Sequence, residues 1–117
     1  MTIELNLIVI RTSDPKRLAE FYSLFNLEFA YHQHGNSPFH YSGHIGEILL
    51  EIYPLTKGQE NPDLSLRLGF TLDDFESVIE KLRSTNVVFA SGPEETEFGL
   101  MAVIIDPDGR KIELYKK

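Results

Sequence analysis

All four histidines of the chain fall within thirteen residues: His32, His34, His40 and His44. His32 and His34 are two apart and so share one face of an extended strand, and His40 lies just beyond a Gly35-Asn36-Ser37-Pro38 turn that can bring it across from them. Two imidazoles at this spacing plus a third from the neighbouring strand are a ligand set for a borderline transition metal. Hairpin histidines are also common as plain amphipathic surface residues, and both readings stand at this level. Downstream is Glu51, which with His40 would make an acid–base pair, one group acting and the other orienting it. There is no cysteine, which excludes disulfides, thiolate metal sites and a thiol nucleophile. Gly-rich phosphate loops, Gly-x-Ser-x-Gly and His-Glu-x-x-His are missing as well. Asp106-Pro107-Asp108-Gly109 reads as a turn, without the ligand spacing of a calcium loop.

The elements that position these residues follow from periodicity. Ile3 to Ile10 is rich in Leu, Ile and Val and reads as a buried strand. Asp14 suits an N-cap and Pro15 the first helical position, and Leu18, Phe21, Tyr22 and Phe25 then fall at i, i+3, i+4 and i+7, one apolar stripe. Asn26 is the expected stop. Leu27 to His34 and Phe39 to Ser42 read as strands, Gly43 to Gly46 as a turn, and Glu47 to Tyr53 as an alternating strand with Glu51 and Tyr53 on one face and Ile48, Leu50 and Ile52 on the other.

Lys57 to Asp63 is polar and reads as a linker between module one (1–56) and module two (64–117). The plan then repeats. Leu64 to Thr71 is a strand, Asp74 a cap, and Phe75, Val78, Ile79 and Leu82 form a second stripe. Val87 to Ala90, Leu100 to Ile105 and Lys111 to Tyr115 are strands, split by Ser91-Gly92-Pro93 and Asp106-Pro107-Asp108-Gly109. Asp14 and Asp74 are 60 positions apart, as are Leu18 and Val78, and Glu51-Ile52-Tyr53 matches Glu113-Leu114-Tyr115 at an offset of 62. Neither half covers its own sheet, so the two should pair within a single domain.

The chain has 117 residues, the size of one domain, with 42% hydrophobic and 25% charged residues. Its formal charge is −7, from 18 acidic against 11 basic residues, with no basic cluster to reverse it locally, so nucleic acid is not an expected partner. No apolar run reaches the roughly 20 residues of a membrane span, so no membrane association is expected. The opening Met1-Thr2-Ile3-Glu4 lacks the basic region of a secretory signal, and with the absence of cysteine this points to the cytoplasm.

Ser13-Asp14-Pro15 before Glu20-Phe21-Tyr22, and the ending Asp106-Pro107-Asp108-Gly109-Arg110-Lys111-Ile112-Glu113-Leu114-Tyr115, resemble the glyoxalase, bleomycin-resistance and dioxygenase (vicinal oxygen chelate) superfamily. The resemblance covers nearly the whole chain. It implies an α+β fold of two tandem βαβββ modules forming a paired, curved mixed sheet around a cleft, and a homodimer. Enzymes of the family hold a divalent metal at four positions, on the first and last strands of each half. Matched to this chain, those positions are Leu7, Glu51, Arg67 and Glu113. Leucine has no lone pair, and arginine is a permanent cation without an acceptor. The expectation is therefore no metal and no cofactor at that place. In its stead Arg67 is expected to bridge Glu51 and Glu113, since unpaired charges cost several kcal/mol on leaving water.

Alternation puts Leu5, Leu7 and Val9 on one wall of the implied cleft and Ser65, Arg67, Gly69 and Thr71 on the other. With Tyr41, Tyr53 and His40 these make a candidate ligand site comprising Leu7, His40, Tyr41, Glu51, Tyr53, Arg67 and Glu113. The expected function is a metal-free member of the family that binds a small organic ligand. The alternative is an enzyme, a lyase, isomerase or dioxygenase relative, using a displaced metal site or Glu51 or Glu113 as an acid–base group.

Overall fold

The computed structural model describes residues 1–117. They form two units, Met1–Pro62 and Asp63–Lys117, each built from one helix and one four-stranded mixed sheet. In the first unit the elements are β1 (Leu7–Thr12), α1 (Pro15–Tyr22), a 3₁₀ turn (Ser23–Phe25), β2 (Ala30–His32), β3 (His40–Ile45) and β4 (Ile48–Pro54). The sheet order is β1-β4-β3-β2, with β1 parallel to β4 and the other pairs antiparallel. The second unit repeats this with β5 (Leu68–Leu72), α2 (Phe75–Ser84), β6 (Val88–Thr96), β7 (Gly99–Ile105) and β8 (Lys111–Lys116), in the order β5-β8-β7-β6. The α+β class and the repeated βαβββ plan expected from the sequence are both present.

Helix α1 starts where Asp14 accepts a hydrogen bond from the Arg17 amide at 3.1 Å, with Pro15 at its first position. The following turn ends at Asn26, whose φ of 66° is left-handed. All four stripe residues of each helix are buried: Leu18, Phe21, Tyr22 and Phe25 in the first unit, Phe75, Val78, Ile79 and Leu82 in the second. Helix α1 packs on Ile10, Leu50 and Ile52 from one face of its sheet, each such side chain contributing about 1.5–3 kcal/mol by leaving water. The opposite face of that sheet is free to carry polar groups. No helix is long and apolar enough to cross a membrane.

Several boundaries differ from the sequence expectation: β1 begins at Leu7 and not Ile3, with Ile3, Leu5, Leu7 and Val9 exposed rather than buried, β2 is confined to Ala30–His32, and β5 begins at Leu68 and not Leu64. β3 runs on through Gly43 to Ile45, so the turn is the two residues Gly46–Glu47 rather than Gly43 to Gly46, and only Gly46 needs positive φ, at 58°. β6 does not stop at Ser91-Gly92-Pro93 but continues to Thr96 with register shifts there. It is an edge strand, so the missing proline N–H leaves no ladder bond unmade, and a Cβ on Gly92 would lie 2.6 Å from the Met101 carbonyl oxygen. Asp74 sits at the start of α2 but its side chain makes no capping hydrogen bond.

Candidate functional site

The register of the first unit decides which side chains meet. Ser42 pairs opposite Glu51, His32 opposite His40, and Val9 opposite Glu51 from the other side. Side chains alternate, so Leu7, Val9, Glu51, Tyr53, His40, Ser42 and His32 share the face turned away from α1. His34 follows the end of β2 and brings its ring to 4.4 Å from that of His32 and 4.9 Å from that of His40.

Glu51 is the centre of this face. It is only 6% exposed, and its Oε2 accepts a hydrogen bond from the Ser42 hydroxyl at 2.6 Å. His40 Nε2 lies 3.1 Å and His34 Nε2 3.7 Å from the same oxygen. His40 is fully buried, its Nδ1 donates to the Pro38 carbonyl at 3.0 Å, and its ring stacks on Tyr53 at 4.1 Å and 9°. The Arg11 guanidinium covers the same tyrosine ring at 4.9 Å from its centroid. The Ser42 hydroxyl donates its one hydrogen to Glu51 and so accepts from His32 Nε2 at 2.8 Å. The potential ligand atoms of His32, His34, His40 and Glu51 all lie within 4.8 Å of one another. Beside them opens a cavity of ≈ 460 Å³ whose lining includes Phe29, Ala30, His32, His34, Ser42 and Leu49.

In the second unit the corresponding glutamate has different neighbours. Arg67 is in direct contact with Glu113, and the Tyr115 hydroxyl donates to the other carboxylate oxygen. The Tyr115 hydrogen bond, and after it the Arg67 guanidinium, hold the Glu113 carboxyl below the ordinary carboxylate range. The same bond holds the Tyr115 hydroxyl pKa above its usual value. Thus Arg67 takes up the Glu113 half of the expected bridge, while Glu51 draws its partners from β3 and the β2–β3 connection.

Of the residues expected in the site, His40, Glu51, Tyr53 and Leu7 share one face of one sheet, and Arg67 and Glu113 are joined in the second unit. Tyr41 does not share the face of Glu51. It pairs opposite Ile52 and Tyr31, on the helix-packed side, with its ring 4.7 Å from that of Tyr31. Neighbours in a strand point oppositely, so His40 and Tyr41 cannot both face Glu51. Ser42 was missed, although a two-residue turn at Gly46–Glu47 would have placed it opposite Glu51. The four positions used for metal by enzymes of the resembling family do not fit that role here: Leu7 offers no donor atom, and the guanidinium of Arg67 is already on Glu113.

Residues 4–114 match the family described as the Glyoxalase/Bleomycin resistance protein/Dioxygenase superfamily. The chain belongs to this superfamily. Among solved structures it is similar to TnmS3, an antibiotic binding protein from Streptomyces sp. CB03234, with 24% identity, a TM-score of 0.80, and coverage of 98% of this chain and 96% of that one. It is also similar to the oxidase ChaP-H2, with 20% identity, a TM-score of 0.81, and coverage of 100% and 95%. An integron cassette protein from the mobile metagenome of V. cholerae shares 20% identity at a TM-score of 0.76, with coverage of 99% and 97%. At these identities the likeness is one of fold, and superfamily membership leaves the chemistry to be argued from the site. No curated protein sequence matches the chain.

Proposed function

We propose that this superfamily member binds a small organic ligand in the cavity of its first unit, with an apolar body against Phe29, Ala30 and Leu49 and a hydrogen-bonding edge toward His32 and His34. The observation that carries this is the cavity itself. Its ≈ 460 Å³ falls within the range of about 300–1,000 Å³ typical of ligand pockets, and apolar walls with a few convergent polar groups are what such pockets need. The reading requires no metal at Leu7, Glu51, Arg67 and Glu113. An antibiotic binding protein and an oxidase among the structural neighbours support a fold that serves both binding and catalysis. A homodimer belongs to the same reading, because Leu7 and Val9 on the edge strand β1, and Ile3 and Leu5 in the segment before it, are exposed apolar side chains.

The test is amide NMR during titration with naphthylamine and with naphthoate. Saturable shifts at Phe29, Ala30 and Gly43 support the reading, and shifts scattered over both units or none at all count against it. A second reading, acid–base catalysis, is favoured by one contact, His40 Nε2 to Glu51 Oε2 at 3.1 Å. It would use these two groups as the acid–base pair, beneath the more exposed His34.

A further inference from the structure

We propose that His32, His34, His40 and Glu51 form a binding site for one divalent transition ion of the zinc class, separate from the metal positions implied by the superfamily and sharing only Glu51 with them. The argument starts from lone pairs. The Pro38 carbonyl can only accept, so its hydrogen bond uses the Nδ1 hydrogen of His40, which leaves Nε2 facing Glu51 Oε2 at 3.1 Å. His34 Nε2 approaches the same oxygen at 3.7 Å. Nitrogen and oxygen acceptors that converge in this way need a proton or a metal ion among them, and a metal ion can satisfy all of them at once.

A zinc-class ion is what this donor set suits. Three imidazole nitrogens and one carboxylate oxygen are the borderline ligands that such ions prefer, whereas calcium and magnesium take oxygens. Around a tetrahedral ion, ligand atoms sit about 3.3 Å apart. The four here are all within 4.8 Å of one another, so small side-chain rotations bring them to contact distance.

The supporting shell is present as well. The Pro38 carbonyl fixes which nitrogen of His40 faces the cluster, and the Ser42 hydroxyl orients Glu51, the roles such outer groups play around bound metals. Entry is open, because the His34 side chain is 60% exposed. Two ligands, His40 and Glu51, therefore come from the buried sheet interior, His32 from the end of β2, and His34 from the accessible residues just beyond it. The ion would stand beside the cavity that Phe29, Ala30 and Leu49 help to line.

The experiment uses the whole chain. Metal content is measured after purification without chelator, and the chelator-stripped protein is titrated with Co²⁺ while its visible absorption is recorded. The expected result is saturation at one ion per chain with the intense bands of a four-coordinate nitrogen–oxygen site, and displacement of Co²⁺ by Zn²⁺. His34→Ala, at an exposed position that does not endanger folding, should weaken Co²⁺ binding by at least about 100-fold, since loss of even an outer-shell partner costs 10–100-fold. His32→Ala should do the same, and Glu51→Gln should alter the bands. His44→Ala, which removes the remaining histidine but no ligand, should leave Co²⁺ affinity unchanged. Absence of saturable binding, or equal losses in the His34 and His44 variants, overturns the proposal. If Co²⁺ does not bind while the naphthalene probes still shift Phe29 and Ala30, the metal site falls and the ligand reading stands.

Discussion

Arg110→Ala removes a guanidinium that is 1% exposed and that no sequence pattern marked as interior. Its NH1 lies 3.1 Å from Asp106 and 2.7 Å from Asp108, and its Nε donates to the Asp63 carbonyl at 2.8 Å. Burial pulls the guanidinium pKa down, and the hydrogen bonds to Asp108 and Asp106 more than offset that, so the pair is matched where it sits. Breaking a buried ion pair from one side costs about 3–5 kcal/mol, because the partner is left charged and out of water. Here the Asp106 carboxylate keeps three backbone donors, the amides of Asp108, Gly109 and Arg110, which favours the lower end. A loss of about 3 kcal/mol against a typical domain stability of 5–15 kcal/mol is large but survivable. For a chain of this length the unfolding entropy is roughly 0.25 kcal/mol/K, so Tm should fall by ~12 °C. Urea unfolding followed by circular dichroism gives the free energy, and a thermal scan gives Tm. Adding Asp106→Asn should recover part of the loss, since the amide oxygen still accepts from the backbone while the orphaned charge disappears. A loss below about 1 kcal/mol, or no recovery in the double variant, would refute the claim that this pair holds the turn into β8.

Gly43→Ala should cost about 1–3 kcal/mol and abolish probe-induced shifts at Phe29, because the added Cβ would stand 2.7 Å from the Glu28 carbonyl oxygen and 3.0 Å from the Phe29 ring. Urea melts and the NMR titration check both effects. Tyr115→Phe removes the largest cause of the lowered Glu113 pKa, so that carboxyl should titrate closer to its ordinary 4.5, as followed by carboxyl carbon shifts. The sign follows from linkage: a depressed carboxyl pKa contributes stability that is present above 4.5 and lost as pH falls through the folded value, so the Tyr115 variant should show a smaller drop in Tm on acidification. Lys116→Ala breaks a contact with Glu76 in which both side chains are well exposed, and thermal scans should show no measurable change in Tm.

The local signals that survived folding unchanged are those with a purely local cause. The two helix stripes, the Asp14–Pro15 start and the Asn26 stop depend on neighbours within a turn or two, and all were readable in order. Duplication was readable too, because both halves bury equivalent faces with equivalent spacing. Strand ends were less so: Gly43 and Gly92-Pro93 read as breaks, yet one is a small residue under the Phe29 ring and the other lies on an edge strand.

Periodicity alone determined that the chain would repeat one β-α-β-β-β plan twice, while the family resemblance singled out Leu7 and Arg67, whose side chains offer no metal ligand. Which histidine meets which carboxylate was decided by the pairing register, since β3 with β4 sets Ser42 against Glu51 and β2 with β3 sets His32 against His40. A shift of one residue in either pairing would have sent these side chains to the opposite face. The burial of Arg110 was likewise a tertiary outcome, because the close approach of the Asp63 carbonyl and of the Asp106 and Asp108 carboxylates makes a charged interior tolerable.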